Sequence, residues 1–371
     1  MHRIFRFFTR NAFMRGVKPI MFRSKPDAAH DTMLKFGNAA GKVPFLLALL
    51  RFACKVESDA LKVNAMGIEY KNPIGLGAGL DKNAVLAACL HSCGFGHATF
   101  GSITGRKSVG NPRPWFHRLL KYYALVVHVG LANEGVDING DKIASEAEKF
   151  GEDMKVAASI ARTNDKEASS SIDDAIADYV YSMRKIAGRT QFIELNISCP
   201  NTYNGEPFAN PENLDLLLAE LDKIDRKNVP MTVKMPSDKT WEEFRELLNV
   251  IARHDIQAVT IANLRKDRTG IEISDEIEGN FSGALTYAKS NDFIRRTYNE
   301  FGDRFVIIGL GGVMTAEHAY AKIRAGATLV ELVSGLMFKG PQVVADIKFG
   351  LIKLLERDGF ANIEEAVGAD A

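Results

Sequence analysis

Residues 304–335 read RFVIIGLGGVMTAEHAYAKIRAGATLVELVSG. An apolar run at 304–310 gives way to a helical period at 315–325 and returns to an apolar run at 328–333, with glycine following each run. The runs alternate little, as expected of parallel strands covered on both faces. The same unit extends upstream, predicting strands at 73–79, 97–103, 154–160, 191–197, 230–235 and 256–262. Helices are predicted at 82–93, 138–150, 172–188, 211–224, 240–254, 288–301 and 340–357. Strand then helix, eight times over, closes as an α/β fold, the eight-stranded β/α (TIM) barrel. A doubly wound open sheet accepts the same alternation, but its Gly-x-Gly-x-x-Gly fingerprint is missing from GLGAGLDKNA after the first strand.

The barrel predicted for residues 61–371 leaves 1–60 as a separate helical extension. Its first 25 residues carry Arg3, Arg6, Arg10, Arg15, Lys18, Arg23 and Lys25 without one Asp or Glu, interleaved with Phe5, Phe7, Phe8, Phe13 and Phe22. Basic and aromatic residues on opposite faces suit a membrane surface. A presequence or a helix that packs on the barrel are the plainer readings. The apolar piece PFLLALLRFAC (44–54) is too short to span a bilayer.

Over all 371 residues, 47 Lys and Arg stand against 46 Asp and Glu, so nothing points to nucleic acid. Four cysteines, Cys54, Cys89, Cys93 and Cys199, show neither disulfide nor metal-ligand spacing. The first three lie in apolar helical segments and are expected in the core.

In a β/α barrel the functional groups sit at the C-terminal strand ends. Polar residues collect there: Asp81 and Lys82, Ser102, then Asn196, Ser198, Cys199 and Asn201, then Lys234, Asn263, Gly311, Gly312, Ser334 and Gly335. Glycine-rich turns after strands seven and eight are where barrels commonly hold a phosphate.

The stretches NPIGLGAGLDKNA (72–84), FGSITGRKSVGNPRPWFHR (100–118), ELNISCPNT (194–202), VKMP (233–236), FSGA (281–284), IIGLGGVMT (307–315) and LVSGLMFKGP (332–341) together resemble the dihydroorotate dehydrogenases. These are FMN-dependent barrels of pyrimidine synthesis. The resemblance implies that Lys82, Ser102, Asn196 and Lys234 lie on the flavin and that Gly283, Gly312, Ser334 and Gly335 hold its phosphate. It also implies that Lys82, Asn196, Asn201 and Asn263 contact substrate and that Cys199 is the catalytic base.

The family has two branches, and this chain resembles both. PDAAH (26–30) is similar to the extension of the membrane-docked, quinone-using branch, which places His30 and Arg118 on the quinone path. The cysteine in SCPN and the segment GLANEG (130–135) resemble the soluble branch. Quinone is the expected acceptor, because an acid-free basic-aromatic extension serves no purpose for a soluble one. A peripheral location follows, at a bacterial cytoplasmic face or a mitochondrial inner membrane.

Both branches set an asparagine from about 127–132 on dihydroorotate, where this chain has Val127 or Ala132, and Leu264 stands in place of a threonine. An unpartnered polar ring costs about 1–3 kcal/mol. Asn133 or His128 is the expected compensation. The alternative is an FMN oxidoreductase of another cyclic amide or conjugated alkene; a non-catalytic barrel is the reading that Lys82, Asn196, Cys199 and Lys234 oppose. The charged stretch 264–280 is expected to form a mobile loop over the barrel mouth.

Overall fold

The computed structural model describes residues 9–371. Its barrel strands are β1 (Ile74–Leu76), β2 (His97–Ile103), β3 (Lys155–Ile160), β4 (Phe192–Asn196), β5 (Met231–Lys234), β6 (Ala258–Ile261), β7 (Val306–Leu310) and β8 (Leu329–Leu332). They close in chain order, all parallel, with β8 paired to β1 through Val330–Ile74 and Leu332–Leu76. A helix follows each strand, as the alternation predicts.

The differences lie at the ends of elements. The first strand stops at Leu76, and the first helix starts only at Ala87, because the Asp81 carboxylate accepts the Asn83 and Leu86 N–H groups and holds the intervening chain as a loop. The last predicted helix, 340–357, is Val343–Asp358, and a short helix that was not predicted, Ser334–Lys339, precedes it, the two parted at Gly340 with φ 89°. Two small antiparallel sheets were not foreseen. A hairpin, Val63–Ala65 with Ile68–Tyr70, turns on Met66 and Gly67, both at positive φ as a tight hairpin requires. Phe116–Leu119, Ala124–Val127 and Asn280–Gly283 form the second. Its pieces are short, and its third strand is 150 residues downstream, so local patterning carries little trace of it.

In the extension, Lys18–Arg23 precedes α1 (Pro26–Ala40) and α2 (Pro44–Cys54). Arg3, Phe5, Arg6, Phe7 and Phe8 lie outside the described residues. The α1–α2 pair bends by 106°, and among the described residues no single helix is long and apolar enough to cross a membrane. Phe36, Phe45, Leu46 and Leu49 are exposed on this pair. Apolar groups of the extension, Met33, Leu34, Leu50, Ala53 and Cys54, pack on the barrel core, and polar contacts fix its position: Asp27 accepts the Trp115 N–H at 3.0 Å, Asp31 pairs with Arg113 at 2.9 Å, and Arg118 donates to the carbonyls of Met21, Phe22 and Ser24. These last bonds add to the Ser24 N–H and hydroxyl, which already donate to the Met21 carbonyl, in satisfying the C-terminus of helix Lys18–Arg23. Of the three cysteines assigned to the core, Cys54 and Cys93 are buried and Cys89 is half-buried.

Barrels of this type usually fill their interior with branched apolar side chains. Here the interior is polar: His97, Thr99, Ser159, Glu194, Thr232, Lys234, Thr260 and Glu331 are all buried. Glycines on and after β1 make room for the bulkier of these groups. A Cβ on Gly75 would lie 2.0 Å from His97 Nε2, and one on Gly77 would lie 3.0 Å from a Glu331 carboxylate oxygen. Gly75→Ala is therefore expected to cost about 1–3 kcal/mol, the usual penalty of an overpacked core. A drop in the thermal unfolding midpoint checks it, and an unchanged midpoint contradicts the packing described.

Candidate active site

At the C-terminal end of the strands lies a cavity of ≈ 1470 Å³ of empty space, solvent-facing mouth included. Three cationic side chains reach its wall, Lys82, Lys234 and Arg118, with His30 beside them, and among the described residues no Asp or Glu lines it. A partly enclosed space with this charge favours ligands that carry or develop negative charge.

The predicted residues converge here. Ser102, Asn196, Cys199, Asn201, Asn263, Gly283, Gly312, Ser334 and Gly335 all line the cavity, together with Lys82, Lys234, His30 and Arg118. The amides form a linked set. Asn196 Nδ2 donates to Ser102 Oγ at 2.8 Å, and Asn263 Nδ2 donates to the Ser198 carbonyl at 2.6 Å. Asn201 Nδ2 donates to the Val127 carbonyl at 2.9 Å, and its oxygen accepts from Asn280 at 2.7 Å. Each amide is thereby held in one orientation. Ser198 Oγ donates to the Lys234 carbonyl at 2.8 Å and ties the end of β4 to β5.

Lys234 Nζ lies 3.5 Å from Glu194 Oε1, with both side chains nearly fully buried. Burial pushes the Glu194 carboxyl above its ordinary range, while Lys234 pulls the other way. Burial also brings the Lys82 ammonium down to about 8, against the opposing pull of Cys199 and Asp81. The Cys199 thiol is pushed up to about 11 by burial, with Lys82 and Lys234 counteracting and Glu206 adding to the rise. The cations near the thiol thus offset only part of its desolvation. His30 is held below its ordinary value by burial and by Lys82; its ring approaches the Leu80 carbonyl at 3.2 Å and Phe116 at 5.0 Å.

One expectation is corrected. Asn133 does not reach the cavity: its Nδ2 donates to Thr104 Oγ1 at 2.8 Å and to the Leu131 carbonyl at 2.7 Å, and its oxygen accepts the Gly135 N–H at 2.8 Å. A fully engaged, buried amide has nothing left for a ligand. His128, the other expected compensation, faces an outer polar cleft, 3.2 Å from Glu278. Val127, Leu131 and Leu264 contribute apolar wall to the cavity. The stretch 264–280 has no helix and only its final residue in a strand, but it is tied down: Arg268 donates to the Ile277 and Gly279 carbonyls, Lys266 pairs with Glu206, and Lys121 with Glu272.

Several lining residues escaped the sequence reading. Ser282 shares a 2.7 Å hydroxyl contact with Ser334, and Thr286 stands one turn beyond. The FSGA stretch contains Ser282, so the signal was present. Met21, Phe22 and Met33 carry the cavity wall into the extension, a role that pattern alone does not reveal.

The chain matches the family model described as dihydroorotate dehydrogenase over residues 60–355. It is 34% identical over 356 residues to a dihydroorotate dehydrogenase (quinone) of Natronomonas pharaonis, covering 95% of this chain and 98% of that protein. It is 33% identical over 360 residues to a protein of the same description from Thermobifida fusca, covering 95% and 94%. Among solved structures, ligand-free DHODH from Eimeria tenella superposes with a TM-score of 0.83 at 25% identity, covering 93% of this chain and 99% of that one.

Proposed function

The chain belongs to the dihydroorotate dehydrogenase family, and from that premise we propose how its cavity oxidises dihydroorotate to orotate in pyrimidine biosynthesis and passes the electrons to quinone. The observation that carries the reading is the wall itself: three cations, a thiol and three oriented amides around one space free of carboxylates. That donor set fits flavin mononucleotide, whose phosphate is anionic and whose ring becomes anionic on reduction. Ser282, Gly283, Gly312, Ser334 and Gly335 are the residues that would hold the phosphate, and Lys82, Ser102, Asn196 and Lys234 the ring. Bound flavin supplies the hydride-accepting ring nitrogen.

The chain's own groups do the rest. Lys234, with Glu194 behind it, holds a positive charge where negative charge develops, already oriented before reaction. Asn201 and Asn263 offer amide groups to a cyclic diamide, and Lys82 offers a cation to its carboxylate. Cys199 removes the proton that accompanies hydride loss. On the side of the extension, Met21, Phe22, Met33, His30 and Arg118 form the approach for an apolar acceptor, and the exposed Phe36, Phe45, Leu46 and Leu49 rest on the bilayer that contains it.

Anaerobic mixing of the flavin-loaded protein with dihydroorotate tests this reading: the flavin band bleaches, and added quinone restores it. A band untouched by dihydroorotate but bleached by another cyclic amide or conjugated alkene selects the alternative substrate class favoured by Val127 and Leu264. A pH dependence follows from the thiol at about 11. At low substrate, bleaching is expected to accelerate about tenfold per pH unit between about pH 6 and 8, since the thiolate fraction grows tenfold per unit below its pKa, and to level off above pH 8 as Lys82, at about 8, loses the charge that holds the substrate carboxylate. A flat profile over that range removes Cys199 as the base.

A further inference from the structure

The segment that follows Cys199 is gripped from outside by residues that no functional reading has used. Arg162, at the end of β3 and only 5% exposed, donates from Nη2 to the Tyr203 carbonyl at 2.5 Å and lies 3.5 Å from the Gly205 carbonyl. Asn164 Oδ1 accepts the Tyr203 N–H at 2.6 Å, and Asn204 Nδ2 donates to the Ser169 carbonyl at 3.2 Å. Within the loop, Thr202 Oγ1 spans from the Cys199 carbonyl to that of Gly205. Asn204 and Gly205 both sit at positive φ, at 57° and 68°.

A buried guanidinium is normally matched by a carboxylate. Among the described residues Arg162 has no such ion pair: nearby Asp165 is taken by Arg106, and Asp178 by the N–H and hydroxyl of Thr163. The Arg162 guanidinium places its hydrogen bonds on carbonyls of the Cys199 loop, so the cation and the loop depend on each other. Residues 200–203 also border a polar surface cleft that includes Asn111, His128 and Glu278, while Asn201 lines both that cleft and the cavity. The loop is therefore the partition between the reaction space and solvent, and Arg162 is what fastens it.

We propose that Arg162, seconded by Asn164, is a positioning residue that clamps residues 199–205 shut, so that the Cys199 thiol faces the cavity away from bulk water. The inference rests on Cys199 being the base for its catalytic consequence, but not for its structural one. The groups facing the thiol are Lys82 and Lys234 from the barrel top, Glu206 with its partner Lys266, Tyr179 and Arg162 itself. Burial dominates that set. Opening the loop rehydrates the thiol and returns it toward the ordinary value of about 8.5.

The experiment is iodoacetamide labelling of the flavin-loaded protein across pH, with Cys199 resolved from the other cysteines by peptide mass spectrometry, on Arg162→Met, Arg162→Lys and Asn164→Ala. For Arg162→Met, labelling near pH 8 is expected to rise at least tenfold and its pH midpoint to fall, while flavin reduction slows at least tenfold. Arg162→Lys, which keeps a donor, restores part of both. Asn164→Ala shifts both in the same direction by less and serves if the methionine variant does not fold. An unchanged labelling profile, or a midpoint that moves up as expected for simple loss of a positive charge, overturns the clamp. Faster labelling with undiminished flavin reduction upholds the clamp and removes instead the assignment of Cys199 as base, which Cys199→Ala then tests independently.

Discussion

Cys199→Ala is expected to slow flavin reduction by dihydroorotate about 10²–10⁴-fold while leaving the flavin bound, because a positioned proton acceptor contributes about that factor. The thiol lines the cavity but belongs to a loop, not to the β4 strand that presents Asn196. Its removal therefore leaves the amide and lysine framework standing. Reoxidation by quinone needs no proton acceptor on that side and is expected to keep its rate. Stopped-flow mixing in each direction separates the two steps. Equal slowing of both would point to a displaced flavin, and no slowing of reduction would remove the thiol from the chemistry.

Lys234→Met is expected to have two effects, one on chemistry and one on folding. Removing a preorganised charge that faces developing negative charge typically costs 10²–10³-fold in rate. The fold suffers as well, because Glu194 is left buried without its cation, and stranding one member of a buried pair costs about 3–5 kcal/mol. Adding Glu194→Gln is expected to recover most of the stability and none of the rate. That split distinguishes the two roles: denaturant melts of the single and double variants report the first, and flavin bleaching reports the second. If the single variant melts like the parent, the 3.5 Å pair carries no weight in the fold.

The sign of the Glu194 effect with pH follows from its raised carboxyl. Above the unfolded carboxyl range the folded state holds the proton longer than the unfolded chain does, so this group favours folding at low pH and loses that contribution as pH rises through its folded value. Lys82, lowered to about 8, loses its proton earlier in the folded state than in the unfolded chain, so its burial penalty is relieved between about pH 8 and 10.5.

Much of the barrel was legible because each strand is a short apolar run, several of them followed by glycine, and each helix carries its own period. The site residues at strand ends were legible for the same reason: once a strand is placed, its C-terminal residue is placed with it. What stayed hidden depends on contacts between distant segments. The sheet of Phe116–Leu119, Ala124–Val127 and Asn280–Gly283 joins pieces from two different connections, and Arg118 gains its role only by meeting carbonyls some 95 positions earlier. Asn133 misled for a related reason. Its sequence neighbourhood is that of the substrate segment, but its amide turns into the chain's own contacts with Thr104, Leu131 and Gly135.

The extension and the Cys199 loop bound the same hollow from different flanks, one greasy and one wet. On the proposed reading, the water-loving reactant passes the Cys199 loop only when its fastening lets go, while the lipid-borne oxidant arrives along the apolar flank, so the two need not queue for a single entrance. Turnover can then alternate between the two visitors, neither of which has to wait for the other to leave by its own path.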